Sequence, residues 1–233
     1  MNTEFILADR QFTLIRYPEK HQHVSLQAWD SADELLISHV DDLVSEQSLT
    51  GNMLIFNDDF GALGCWFTQH NPIWISDSFI ALKSLGENLK ANLLNPVIDD
   101  NDKISAPVRS LTSVESLTLD THLAPDIILI KVPRTLALLE QQLIDIRKVA
   151  TPDTQIIAAG KVKSITKSVL ALFENTLGPT TTSLAKKKSR LIFCQVSPAL
   201  RPKTNDYPSR WTCTLPTGKT VQLNNHANVF SRQ

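Results

Sequence analysis

Cysteine is scarce in this chain of 233 residues, and no disulfide or zinc motif is present. The three cysteines, Cys65, Cys194 and Cys213, are far apart, odd in number and never spaced as C-x-x-C. Such usage excludes a disulfide-stapled fold and is typical of small buried side chains in a reducing compartment. His21 and His23 have no cysteine or carboxylate nearby at a ligand spacing, so we interpret them as loop histidines. The sequence therefore predicts no metal site.

Long apolar runs and common catalytic motifs are also missing. Runs such as residues 127–130 are far shorter than the ~18 residues that a membrane span needs, and Met1-Asn2-Thr3-Glu4 does not begin a signal peptide. We therefore expect a cytoplasmic protein without membrane contact. No G-x-S-x-G, phosphate-loop or H-E-x-x-H motif occurs, so the chain offers no candidate nucleophile.

The composition is that of an ordinary folded protein, but its charge is unevenly divided. With 42% hydrophobic and 20% charged residues, intrinsic disorder, coiled coil and collagen are excluded. The formal net charge of −1 hides a split: residues 1–120 carry 7 basic and 18 acidic side chains, whereas residues 121–233 carry 16 basic and 6 acidic ones. This asymmetry predicts a polarised molecule with one face suited to a polyanion.

Alternating strand and helix patterns predict an α/β fold. Short runs that are apolar at every position, such as Met53–Phe56, are typical of strands buried on both faces of a parallel sheet, and amphipathic stretches between them predict helices. The predicted helices cover residues 26–44, 61–70, 77–92 with Asp77 or Ser78 as the first residue, 136–146, and 164–177 with Ser164 as an N-cap. The predicted strands cover residues 53–56, 73–75, 126–130, 155–159, 191–196, 211–215 and 220–223. This order predicts a doubly wound, Rossmann-like fold with a mostly parallel sheet and antiparallel edge strands at the C-terminus.

The loop after the strand at residues 53–56 is where such a fold would bind a nucleotide cofactor. It reads Asn57-Asp58-Asp59-Phe60-Gly61-Ala62-Leu63-Gly64, and it argues against a phosphorylated cofactor such as NAD because only two glycines let the backbone approach a ligand. Adjacent carboxylates usually point to different sides, so we do not assign acid-base work to Asp58 and Asp59. Asp77 stands where an acid would bind ribose hydroxyls, but an aspartate at a helix start is more often an N-cap.

Four segments resemble one known family. They read NDDFGAL at 57–63, IKVPRTLALLEQQL at 130–143, LGPTTT at 177–182 and NHANVFSR at 225–232. Together they are similar to the N-terminal half of the bacterial 23S ribosomal RNA guanine-N2 methyltransferase, large-subunit methyltransferase G, over nearly the whole chain. The resemblance implies two tandem Rossmann-like domains, of which the second binds S-adenosylmethionine and carries an Asn-Pro-Pro-Phe catalytic motif, while the first has lost its cofactor.

Carried onto this sequence, the resemblance implies a degenerate methyltransferase domain. Only Gly61 matches a loop glycine, Asp77 falls at the ribose-binding acid as a vestigial position, and Lys131-Val132-Pro133-Arg134 replaces the catalytic motif. It implies no catalytic residue and no cofactor in this chain, with S-adenosylmethionine bound by a C-terminal catalytic domain that the chain lacks. We expect residues 1–223 to form the degenerate domain and residues 224–233 to begin a linker.

The basic half of the chain predicts contact with RNA. The resemblance implies that the partners are protein-free 23S ribosomal RNA and the C-terminal catalytic domain. Because strand ends share one edge of a doubly wound sheet, basic side chains should converge there, beside the hydroxyl run at 180–183; lysine and arginine neutralise phosphates without reading sequence. The predicted RNA-binding residues are Lys131, Arg134, Lys161, Lys163, Lys167, Lys186, Lys187, Lys188 and Arg190.

Two other functions stay open on the sequence. The domain could be a structural or dimerisation module whose acidic half docks on the catalytic domain or on a second copy; substitutions at Asp41 or Asp42 would then change association without changing RNA affinity. It could also be an enzyme of its own that still binds S-adenosylmethionine, which calorimetry on the chain would detect.

Overall fold

A computed structural model describes residues 2–18, 26–46, 51–116, 120 and 122–228; His21 and His23 lie outside the described residues. The strands are β1 (Glu4–Leu7), β2 (Arg10–Thr13), β3 (Met53–Phe56), β4 (Ile73–Ile75), β5 (Val97–Ile98), β6 (Ile104–Ala106), β7 (Arg109–Leu111), β8 (Ile127–Lys131), β9 (Gln155–Lys161), β10 (Thr180–Thr182), β11 (Ser189–Cys194), β12 (Ser209–Thr214) and β13 (Thr220–Asn225). The helices are α1 (Ser31–Glu46), α2 (Ala62–Trp66), α3 (Phe79–Ala91), α4 (Ser113–Ser116), α5 (Leu136–Val149) and α6 (Lys167–Thr176).

A seven-stranded sheet forms the centre of the fold, with the strand order β10-β11-β9-β8-β3-β4-β7. Its five strands from β9 to β7 run parallel to one another. At the other side, β11 runs antiparallel to both β9 and β10. This confirms the predicted fold class, an α/β fold whose mostly parallel sheet carries antiparallel strands at one edge.

The central strands are apolar at every position because both faces of the sheet are covered. Successive strand side chains point to opposite faces, so Met53 and Ile55 pack in one core with α1, α2 and α3. Leu54 and Phe56 pack in the other core with α5 and α6. Full burial of such a side chain stabilises the folded state by roughly 1.5–3 kcal/mol. Strands that are buried on both faces therefore need apolar residues at every position, and the apolar runs predicted these strands correctly.

Two predicted helix caps were wrong. The N-cap of α3 is Ser78, whose side-chain oxygen accepts a hydrogen bond from Ala81 N at 3.2 Å, so Asp77 does not cap that helix. The N-cap of α6 is Thr166, which accepts from Val169 N at 3.3 Å. Ser164 lies in a short 3-10 turn that precedes the helix, and its position two residues upstream of the true cap leaves it outside α6.

Residues 93–116 and the last predicted hairpin are arranged in ways that the sequence did not predict. The first stretch forms the hairpin β5–β6, the edge strand β7 and the single-turn helix α4. The strands β12 and β13 pair with each other in a two-stranded sheet of their own and do not extend the central sheet. None of the helices among the described residues is long and apolar enough to cross a bilayer.

Candidate functional site

The loops that follow the parallel strands meet at one side of the central sheet, which we call the C-terminal edge. In order across the sheet it carries the loops after β7, β4, β3, β8 and β9, followed by the turn that leads into β11. Neighbouring strands are about 4.8 Å apart, so these loops lie side by side. Ligands of doubly wound folds bind along this edge.

Asp58 closes the loop after β3 from within. One carboxylate oxygen accepts a hydrogen bond from Gly61 N at 3.1 Å, and the other accepts from Gly64 N at 2.9 Å and from the indole Nε1 of Trp74 at 3.2 Å. The residue is buried. Backbone N–H groups that would face a ligand in a cofactor loop are therefore satisfied by the protein's own carboxylate.

Gly61 is required by the fold of this loop. Its φ of 86° is left-handed, and a Cβ atom there would lie 2.7 Å from Leu85 Cα. Asn57 also has a positive φ, 60°, and its side chain pairs with that of Gln142 on α5 through two hydrogen bonds of 2.8 Å. The one loop glycine that matches the family thus serves close packing of the loop on α3.

Asp77 lies after β4, at the predicted vestigial position. Its Oδ1 accepts from Ser113 N at 2.7 Å, and its Oδ2 accepts from Ser113 Oγ at 2.8 Å and from Asn228 Nδ2 at 3.2 Å. The carboxylate therefore joins the start of α4 to the segment that follows β13. Both of its oxygens are engaged where a ribose-binding acid would have to receive hydroxyl groups.

Lys131, at the end of β8, is buried in a cluster of carboxylates. Its Nζ is 2.6 Å from Asp33 Oδ1, 3.3 Å from Asp30 Oδ1 and 3.7 Å from Asp59 Oδ2, and its side chain is 7% exposed. The ammonium group faces inward, where a phosphate at the surface does not reach it. We therefore remove Lys131 from the RNA contacts that the sequence predicted.

The ion cluster changes the proton affinities of its members. Burial raises the pKa of Asp33 to about 7, against the attraction of Lys131. Burial opposes the charge of Asp30 as well, but Lys131, the backbone N–H of Ala32 and Lys161 together lower its pKa to about 2. Burial would lower the pKa of Lys131, but its carboxylate neighbours hold that pKa above the usual value. Burial also raises the pKa of Asp58.

We expect stability to fall between pH 5 and pH 8 because of Asp33. Its pKa is raised in the folded state, so its contribution is complete below the unfolded value of about 3.9 and is lost as the pH rises through about 7. One such group changes the free energy of unfolding by at most about 1.4 kcal/mol per pH unit. Urea midpoints at pH 5 and 8 should show a smaller difference for Asp33→Asn than for the unchanged chain. An equal difference in the two proteins contradicts the assignment.

The lysines at 186–188 form a tight turn that we call the basic turn. Lys186 and Ser189 exchange two backbone hydrogen bonds of 2.8 and 2.9 Å, and Lys187 and Lys188 between them have φ values of 49° and 63°. Two left-handed central residues are the signature of a type I′ hairpin turn. Val162 N donates to Lys188 O at 3.0 Å, which places the basic turn directly beside the end of β9.

The first turn of α1 holds the basic turn in place. Ser31 Oγ donates to Lys187 O at 2.9 Å and lies 2.8 Å from Ser189 Oγ. Lys187 Nζ is 2.7 Å from Glu34 Oε2, although the lysine side chain is 67% exposed. Some of the negative charge of residues 1–120 is therefore neutralised by the positive charge of residues 121–233, because Glu34 on α1 pairs with Lys187.

The predicted RNA-binding residues other than Lys131 differ in how far they are exposed. Exposed at the surface are Arg134, Lys163, Lys167, Lys186 and Lys188. Lys161 is half-buried, and its Nζ binds Asp30 Oδ2 at 3.2 Å and Ser31 Oγ at 2.7 Å. Arg190 is half-buried as well, with an enclosed Nε.

Two of the four hydroxyl groups in the run at 180–183 form hydrogen bonds within the protein. Thr180 Oγ1 donates to Gly178 O at 2.9 Å, and Ser183 Oγ donates to Leu184 O at 2.8 Å. Within the part of the chain that the structure describes, no group of three or more histidine, cysteine or acidic side chains is placed to hold a metal ion. The groups near the basic turn that can bind a ligand are therefore the exposed ammonium groups of its lysines.

Comparison with known proteins decides the family. The family model described as RLMG N-terminal domain matches residues 2–198. The chain belongs to this family. Among curated relatives it is 58% identical, over 243 residues, to Ribosomal RNA large subunit methyltransferase G of Alteromonas mediterranea, covering 100% of the chain and 59% of the relative. It is 51% identical, over 236 residues, to the protein of the same name from Pseudoalteromonas atlantica, covering 100% of the chain and 56% of that relative. The chain thus spans little more than half the length of these relatives.

Solved structures share the fold of this RLMG N-terminal domain. The 16S rRNA N2 G1207 methyltransferase (RsmC) of T. thermophilus, determined with AdoMet and guanosine, matches with a TM-score of 0.61 and 12% identity, over 98% of the chain and 53% of that protein. A precorrin 8W decarboxylase of Methanobacterium thermoautotrophicum matches with a TM-score of 0.54 and 10% identity, over 72% and 92% of the two chains. At such identities the likeness shows the fold alone.

Sequence reasoning missed the acidic start of α1 in the RLMG N-terminal domain. Asp30 Oδ1 accepts from Asp33 N at 3.3 Å and from Ala32 N at 2.8 Å, and Asp33 Oδ2 accepts from Asp30 N at 2.8 Å. This reciprocal arrangement is a capping box, and the spacing Asp30-Ser31-Ala32-Asp33 could have revealed it. Apolar periodicity alone predicts a helix that begins near residue 26, and it does not identify Asp33 as the partner of Lys131.

Proposed function

We propose that this chain is the RNA-binding N-terminal domain of a longer 23S ribosomal RNA guanine-N2 methyltransferase. The observation that carries the proposal is the basic turn, a rigid group of three lysines placed beside the lysines of the β9 end. The curated relatives, named as large-subunit ribosomal RNA methyltransferases and considerably longer than this chain, support it. Residues 1–223 serve as the RNA-binding domain in this proposal, and residues 224–233 begin the linker.

S-adenosylmethionine does not fit the residues of this domain. Asp58 occupies the N–H donors of the loop after β3, and Ser113 and Asn228 occupy the carboxylate of Asp77. At the end of β8, the buried Lys131 stands where the family motif has its catalytic asparagine, and an ammonium group cannot accept a hydrogen bond from a guanine amine. We propose that the cofactor and the methyl transfer belong to the second domain.

The basic turn suits the backbone of structured RNA. Lys186, Lys188, Lys163 and Lys167 are exposed, and the hydrogen bond from Val162 N to Lys188 O holds the basic turn next to Lys163. Lysine contacts to phosphates supply affinity and position, and they do not distinguish bases. The domain therefore holds the RNA, and recognition of the target guanine falls to the catalytic domain.

Replacing Lys186, Lys187 and Lys188 with alanine should weaken RNA binding strongly. Each lost phosphate contact lowers the log-log salt slope by about 0.9 for a duplex, equivalent to roughly eightfold in affinity at 0.1 M salt, so three contacts correspond to an upper limit of several hundredfold. Affinity for protein-free 23S ribosomal RNA measured across a salt series checks both quantities.

The matched control removes three lysines of the acidic half, Lys83, Lys90 and Lys103, which pair with Asp102, Glu87 and Glu115. This control should leave the affinity and the slope nearly unchanged. An unchanged slope in the basic-turn variant refutes the assignment of these lysines, and a calorimetric signal for S-adenosylmethionine binding to the unchanged chain refutes the cofactor part of the proposal.

A further inference from the structure

The carboxylate of Asp77 holds the segment that leads out of the domain. Asn228 donates to it at 3.2 Å, and the neighbouring Ala227 is only 8% exposed. Ser113 fixes the same carboxylate from α4 through two hydrogen bonds. We call Asp77, Ser113 and Asn228 the Asp77 clamp. The clamp brings the end of the described chain back to the C-terminal edge of the central sheet.

Exposed apolar side chains follow two members of this clamp in the sequence. Phe79 and Ile80 follow Asp77 at the start of α3 and are 58% and 47% exposed, and Val114 follows Ser113 in α4 and is 45% exposed. Each lies within three residues of a clamp member. Single exposed apolar residues are common, but a group of them beside one fixed point marks an interaction surface.

We propose that Phe79, Ile80 and Val114 form the docking surface for the catalytic domain that follows the linker, and that the Asp77 clamp fixes where the linker starts on this domain. The inference rests on the proposed function, which places a second domain after this one. The clamp places Asn228, the last residue that the structure describes, on Asp77, two residues before Phe79. Relatives of which this chain covers only 59% and 56% have the additional length to supply the occupant.

The position of the docking surface also relates it to the basic turn. Both lie on the C-terminal edge, the docking surface at β4 and β7 and the basic turn at β11. Four strand spacings separate β4 from β11, which is about 19 Å. RNA held by the basic turn would therefore lie along the edge toward the docked domain, so one surface binds the substrate and its neighbour presents the catalytic unit.

Cysteine labelling tests the docking surface. With Cys213 changed to serine, Ile80→Cys is introduced into the 233-residue chain and into the longer protein, and its rate of reaction with a maleimide is measured. We expect the rate to be at least tenfold lower in the longer protein. The control is Leu93→Cys, whose native side chain is 83% exposed and outside the proposed surface; its rate should change less than twofold.

Two further outcomes decide the proposal. Asp77→Ala in the longer protein should raise the labelling rate of Ile80→Cys toward that of the 233-residue chain, and an unchanged rate contradicts the role of the clamp. Equal labelling of Ile80→Cys in the two proteins overturns the docking surface. So does a rate that falls with the concentration of the 233-residue chain, because a second copy would then be the occupant. RNA is absent throughout, so these outcomes are independent of the RNA titration.

Discussion

Lys131→Met should destabilise the domain by about 3–5 kcal/mol, the cost of removing one partner from a buried ion pair. The ammonium group contacts Asp33, Asp30 and Asp59, and methionine fills a similar volume without neutralising them. Asp33, which is 3% exposed, would keep a carboxyl group in a buried site with no cation. Equilibrium unfolding in urea at pH 8, above the folded-state pKa of about 7 of Asp33, measures the loss.

A second variant keeps this prediction testable if Lys131→Met does not fold. Combining it with Asp33→Asn removes the charge that lost its partner, and we expect the double variant to recover at least half of the lost free energy of unfolding. Lys163→Met is the matched control, since Lys163 is exposed. A Lys131→Met protein within about 1 kcal/mol of the unchanged chain, or a double variant no more stable than the single one, contradicts the proposed role of the buried pair.

Changing Lys187 to asparagine and Lys188 to glycine should stabilise the domain and weaken RNA binding at once. Both residues have left-handed φ values, which cost L-residues other than glycine and asparagine roughly 1–2 kcal/mol each, whereas Asn-Gly is the preferred pair of a type I′ turn. We expect about 1 kcal/mol of added stability. The ion pair of Lys187 with Glu34 that is lost is largely exposed and contributes little.

The same variant should lose two phosphate contacts. The salt slope should fall by about 1.8 and the affinity at 0.1 M salt by up to roughly sixtyfold for a duplex. Because the protein becomes more stable, unfolding cannot explain the loss, and urea and RNA titrations on one preparation separate the two effects. The conservative control Lys188→Arg keeps the charge and should retain binding. A variant that is stabilised but binds RNA as before shows that the strained turn does not serve RNA.

The parts of the fold that the sequence predicted are those that local pattern determines. Met53–Phe56 is buried at all four positions, and only a strand covered on both faces needs such a run. β7 escaped prediction because it has three residues and one of its two buried side chains is Ser110, which forms hydrogen bonds with Ile104. A buried hydroxyl with a partner six residues away has no signature in hydrophobic periodicity.

The sequence predicted where the basic residues of the candidate site lie on the sheet, but it did not predict which groups contact them. Strand ends correctly placed Lys131 and Lys161 at one edge of the sheet, but whether an ammonium group faces water depends on its partners. Asp33 is 98 residues from Lys131 in the sequence, and no local pattern links them. The geometry of the basic turn was equally hidden, because consecutive lysines do not carry the Asn-Gly signal of a type I′ turn.

The contacts between α1 and the basic half also set the order in which the domain can be completed. Ser31 contacts Ser189 across 158 residues, and Glu34 contacts Lys187 across 153. Contacts so distant in sequence form late, because a long loop must close before they stabilise anything. During synthesis at about 5–20 residues per second, α1 would wait roughly 8–30 s for β11 to appear. Lys131 and Lys161 are made before β11 and can pair with Asp30 and Asp33 earlier, so Glu34 is the acidic residue of this turn whose partner, Lys187, is made last.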